Sequence, residues 1–126
     1  MPLVRIDLPK GKDAAYHSKL GQVVYDSLLS VGVPVDDRFQ VIQEHDAAHL
    51  VIDPTYLGVQ RSRDAIIIQI TWNEGRTLDQ KRALYKAIAD GCHEAVGLRR
   101  EDVFISLVET KRENWSFGNG EAQYAT

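Results

Sequence analysis

The strongest constraint on the fold is that the chain repeats itself. Pro2 and Ala65 stand 63 residues apart, Gly11-Lys12 and Gly75-Arg76 stand 64 apart, and Val31-Gly32-Val33 and Val96-Gly97-Leu98 stand 65 apart. Asp37 and Asp102, Phe39 and Phe104, and Glu44 and Glu109 keep the offset of 65. An offset that grows twice by one residue describes a tandem duplication with two single-residue insertions. The copies are residues 2–64 and 65–126.

Each copy reads as β-α-β. Residues 3–8 alternate, with Val4, Ile6 and Leu8 on one face, and residues 13–30 carry Tyr16, Leu20, Val23, Val24 and Leu28 at helical spacing. Gly32 and Pro34 punctuate the helix end, and residues 38–45 read as the second strand. After a loop-like stretch broken by Pro54 and Gly58, residues 65–72 form the most apolar strand. Residues 78–96 are a helix with Leu84, Ile88, Cys92 and Val96 on one stripe, stopped by Gly97, and residues 103–109 are the last strand. The parallel strands of each copy need a crossover helix, which is right-handed. The expected architecture is α+β: one domain with a four-stranded sheet and both helices on one face. The other face keeps apolar residues that a monomer cannot cover, which predicts a symmetric oligomer.

Composition narrows the functional class. The chain has 126 residues and a net charge of −3, so it has no electrostatic footprint for nucleic acid or a membrane surface. A single cysteine, Cys92, excludes an internal disulfide and fits a reducing cytosol. No apolar run reaches ~18 residues. Arg5 and Asp7 follow Met1 at once, so no signal peptide is expected and the expected location is cytoplasmic.

Pro2 is the residue with unusual chemical potential. If Met1 is removed, Pro2 carries a free secondary amine, and an α-amino group titrates near ~7.7–8.0, lower in apolar surroundings such as Leu3, Val4 and Ile6. Such a nitrogen can act as a base, an acid or a nucleophile near neutral pH. If Met1 stays, the nitrogen is an amide and inert. Arg76 can grip a carboxylate through two parallel hydrogen bonds, or it is a solvated arginine before a helix. Asp36 or Asp37 can cap a turn before a strand. His45 and His49 lie at a strand end and a loop rather than on one helix face, which argues against a metal site. His17 and His93 read as helix-surface residues, and Cys92 reads as core. Arg61 and Arg63 are either a second positive charge or solvated loop residues.

The segment from Ala65 through "IIIQITWNEGRTLDQKRALYKAIADGCHEAVGLRREDVFISLVE" resembles the 4-oxalocrotonate tautomerase building block. The whole chain resembles fused, double-length members of the tautomerase superfamily, above all malonate semialdehyde decarboxylase and its relatives. The resemblance is carried by Pro2-Leu3, residues 32–40 (GVPVDDRFQ), Gln43-Glu44-His45, residues 58–62, Gln80-Lys81 and residues 114–118 (NWSFG). It implies a homotrimer with Pro2 at the floor of one pocket per subunit, because Ala65 at the matching position is mid-chain. It also implies a catalytic Asp37, a substrate-carboxylate grip by Arg76, pocket walls from Trp115 and Phe117, a place for His45 near the pocket, and no cofactor. The chain departs from the decarboxylase pattern at Glu74, where those relatives have an arginine two residues before the one matching Arg76. The expected substrate is a small oxo- or enol-carboxylate and the expected reaction keto–enol tautomerisation. The alternatives are a decarboxylase or hydratase in which Asp37 activates water, and a non-catalytic trimer if Met1 is retained.

Overall fold

The computed structural model describes residues 2–125; Met1, on whose removal the amine chemistry depends, lies outside the described residues. The elements are β1 (Leu3–Pro9), α1 (Ala14–Ser30), β2 (Phe39–His45), β3 (Ile66–Asn73), α2 (Leu78–Val96) and β4 (Val103–Thr110), joined by four single 3-10 turns. Both helices start at capped ends. Asp13 accepts the Tyr16 amide at 2.9 Å, and Thr77 and Gln80 form a reciprocal capping box at the start of α2. Gly97 closes α2 in the left-handed region, at φ 71°.

The strands assemble in the order β2-β1-β3-β4. β1 is parallel to β2, β3 is parallel to β4, and the two units join through an antiparallel pairing of β1 with β3. The even-numbered residues Val4, Ile6 and Leu8 of β1, and Ile66, Ile68, Ile70 and Trp72 of β3, are almost completely buried. They pack in one core with Leu20, Val24 and Leu28 of α1 and Leu84, Ile88 and Cys92 of α2. This is the period-two pattern expected of strands with one helix-covered face.

The opposite sheet face is bare. Leu3, Phe39, Val41, Phe104 and Val108 each keep 38–46% of their surface exposed there. Polar residues cross the centre of this face as well: Arg5 sits opposite Gln69, and Gln69 opposite Ser106.

The helices approach each other closely at Gly91, where an added Cβ would lie 2.7 Å from Val23 Cγ1. Overpacking of this kind costs about 1–3 kcal/mol, more than the ~1 kcal/mol that alanine gains over glycine in a helix. Gly91→Ala is therefore expected to lower the denaturation midpoint. Val23→Ala in the Gly91→Ala background should recover part of the loss, a positive coupling readable in a double-mutant cycle.

Candidate active site

Pro2 is buried and opens β1. Leu3 pairs with Phe39 on one side and Thr71 on the other. Carrying these registers one residue back sets Pro2 between Arg38 and Trp72. Two functional candidates flank that point. Asp37 closes the turn before β2, its amide donating to the Pro34 carbonyl at 3.2 Å, and the residue is only 7% exposed. Arg76 follows Gly75, whose φ of 120° lets the chain turn out of β3. Its guanidinium lies over the Trp72 ring, 4.2 Å from the centroid, and one nitrogen donates to the Asn73 carbonyl at 3.1 Å. The indole face and the carbonyl hold this cation in one orientation.

Asp37 and Arg76 line one pocket of about 540 Å³ with Glu74, Gln80, Arg112 and Tyr124 among the other walls. Pro2 is not part of that lining. Burial pushes the Asp37 carboxyl above its ordinary range, while the positive charges of the chain's amino terminus and of Arg76 act against the rise. Burial likewise lowers the Arg76 pKa, with Asp37 and Glu109 opposing. The pocket thus joins a carboxyl that resists ionisation to a fixed guanidinium able to receive an anion.

The remaining candidates fall in three places. Glu74 is exposed and lines the pocket, its amide tied to the Thr110 carbonyl at 2.9 Å. Trp115 and Phe117 are not among the pocket's lining residues. They stack on each other at 5.6 Å, Phe117 reaches Phe39 at 6.2 Å, and the Trp115 indole donates to Asn73 Oδ1 at 2.8 Å. Phe117 packs edge-on against Tyr124 at 4.9 Å, and Tyr124 is in the lining, with the Arg112 guanidinium 4.8 Å from its ring centroid. Arg112 and Tyr124 sit in a tail with no periodicity to mark them, and Gln80 is marked only by the resemblance.

His45, Arg61 and Arg63 line a different pocket. His45 Nε2 lies 2.6 Å from Asp7 Oδ1, and Arg61 donates to the carbonyls of Asp53, Tyr56 and Val59. Arg61 and Arg63 therefore do not supply the second charge beside Arg76. His17 pairs with Glu44 at 3.7 Å, and His93 Nδ1 is 3.1 Å from the Leu98 carbonyl. Cys92 is buried, its thiol pushed up to about 12 by burial. Among the described residues no cluster of three His, Cys, Asp or Glu could hold a metal ion.

The second copy of the unit explains what is special about the first. Asp102, the counterpart of Asp37, is 1% exposed, and Ser62 fills it by donating its amide at 2.6 Å and its hydroxyl at 2.5 Å. Ser62 lies three residues before Ala65, so the segment that leads into the second copy satisfies Asp102.

Residues 37–118 match the model of a family described as tautomerase enzyme, and a second family of the same description matches residues 2–60. The chain belongs to the tautomerase family. The probable tautomerase YusQ of Bacillus subtilis is 43% identical over 98% of both chains, and the probable tautomerase YrdN of the same organism is 34% identical over 100% of this chain and 98% of its own. The crystal structure of FG41 malonate semialdehyde decarboxylase inhibited by 3-bromopropiolate superposes with a TM-score of 0.90 at 35% identity, covering 97% of this chain and 93% of that one. A fused 4-OT symmetric trimer shares the fold, with a TM-score of 0.79 at 22% identity over 98% of each chain. This tautomerase-family chain is an enzyme of isomerase or lyase type.

A carboxyl whose pKa is raised by folding holds its proton more tightly in the folded state, so ionising it subtracts stability. The penalty is absent below the ordinary carboxylate range and complete above the raised value. Asp37→Asn in this tautomerase should therefore gain in thermal midpoint over the parent as pH rises from 3 to 7, measured by calorimetry at both ends.

Proposed function

We propose that the chain is a cofactor-independent tautomerase acting on a small oxo- or enol-carboxylate through the amino-terminal nitrogen of Pro2. The observation that carries this reading is the convergence of Pro2's strand start, Asp37 and the oriented Arg76 guanidinium at one end of the sheet. Loss of Met1 turns the Pro2 nitrogen into a secondary amine beside a buried wall of Val4 and Trp72. Such surroundings favour the neutral amine near pH 7.

Arg76 grips the substrate carboxylate by paired hydrogen bonds and fixes the enol relative to the nitrogen. The Pro2 lone pair accepts the enol O–H proton as the C–O bond gains double-bond character. The same proton is then delivered to carbon, a C–H bond forms, and the amine returns to its neutral state. Asp37 balances the transient ammonium. Glu74 and Arg112 at the rim select among substrates by charge.

A second reading keeps Pro2 protonated as an acid while Asp37 activates water, giving decarboxylation or hydration. It is supported by the likeness to two malonate semialdehyde decarboxylases, at 35% and 29% identity. A symmetric homotrimer covering the bare apolar sheet face fits both readings, and fused 4-OT relatives in the fold are trimers.

The processed protein should ketonise phenylpyruvate enol above the buffer rate, with kcat/KM rising through a single ionisation below pH 8. Arg76→Ala should raise KM, and acylating or extending the amino terminus should lower kcat roughly 10²–10⁴-fold, the usual contribution of a positioned acid–base group. No rate above buffer sinks the tautomerase. Carbon dioxide release from malonate semialdehyde, lost in Asp37→Asn, would favour the second reading instead.

A further inference from the structure

The duplication leaves a second cavity at the other end of the β1–β3 seam. Because the two strands are antiparallel, Ala65 lies at the end opposite Pro2, beside Pro9. The cavity there measures about 680 Å³. The counterparts of Asp37 and Arg76 in the duplicated pattern are not among its lining residues and are already paired. Ser62 occupies Asp102, and Lys12, the counterpart of Arg76, is paired with Asp64 at 3.3 Å. Ala65 has no free amine, so no proton transfer can be driven from this position.

The space has nevertheless kept a ligand-like chemistry. Leu50, Ile52, Pro54 and Ala65 supply an apolar wall. Three cations, Lys10, Arg61 and Arg63, stand on the lining against the single carboxylate of Asp64, in a chain whose net charge is −3. Arg61 is braced by backbone carbonyls, and Lys10 shares an exposed pair with Asp46 at 3.2 Å. Arg63 is exposed and makes no hydrogen bond or ion pair among the described residues. A concave apolar wall with an uncommitted guanidinium at its rim suits a carboxylate with an apolar tail.

We propose that this cavity is a second, non-catalytic site for small apolar carboxylates, with Arg63 as the carboxylate anchor and the Ala65 wall receiving the tail. The Pro2 end of the seam performs the chemistry, and the Ala65 end is a binding subsite for the same anion class. The site stands on residues 50–65 and does not depend on Pro2 being reactive.

The test is a titration of the full-length protein with 3-phenylpropionate, followed by NMR of the Ala65 methyl and the His45 ring. It is run on the protein as isolated and again after treatment with 3-bromopropiolate. Saturable shifts at Ala65 and His45 are expected in both samples, with affinity falling roughly tenfold in Arg63→Gln, the loss of one charged hydrogen-bonded contact. Arg63 holds no other group, so the variant keeps its fold and its turnover. Absence of saturable shifts at Ala65, or shifts that Arg63→Gln leaves unchanged, overturns the proposal. Because the readout is binding at Ala65, an inert Pro2 would leave this result intact and would appear only as lost turnover.

Discussion

The antiparallel seam between β1 and β3 organises the molecule. It pairs the strands of two units that are each internally parallel, and it carries the most completely buried side chains of the sheet. Because the strands run in opposite directions, the seam puts the start of each unit next to the end of the other's first strand. Pro2 comes to lie by Trp72, and Ala65 by Pro9. Arg76, stacked on Trp72, is positioned by the same seam.

Duplication then poses an electrostatic problem twice and solves it in two ways. Each unit buries an aspartate at the turn before its last strand. In the second unit the preceding chain continues through Ser62, and its amide and hydroxyl satisfy Asp102. In the first unit the charges that act on Asp37 against its burial are the amino terminus and Arg76. A buried carboxyl that faces positive charges is more responsive than one filled by a neighbouring amide and hydroxyl, which suits it to a reacting group.

The regular part of this architecture was legible in the residues. The repeat offsets and the periodicity of Val4, Ile6 and Leu8, of Leu84, Ile88 and Cys92, and of the run at 66–72 locate six elements within one residue of their observed bounds. These signals are local, and each follows from burying one face of a strand or helix. Asp37 and Arg76 were legible through the resemblance, and the structure brings them to one pocket. The irregular segments were not legible. The Trp115 indole is drawn to Asn73 and its ring to Phe117, contacts that no spacing in the tail encodes. Arg112 and Tyr124 reach the pocket through the docking of a tail whose composition carries no period. Arg61, expected as a possible second charge, is turned toward three carbonyls of its own loop. Contacts of that kind depend on where an irregular chain lands, which spacing does not encode.

The proposed chemistry requires the Pro2 nitrogen to be a free, reactive amine at the Asp37–Arg76 end of the sheet. The most direct measurement is to inactivate the purified protein with 3-bromopropiolate, the reagent that inhibits the FG41 malonate semialdehyde decarboxylase, and to locate the adduct by peptide mass spectrometry. The account predicts a single adduct on Pro2, in protein whose intact mass lacks one methionine, formed more slowly in Arg76→Ala. Protein that retains Met1, or an adduct on any other residue with Pro2 unmodified, would contradict it.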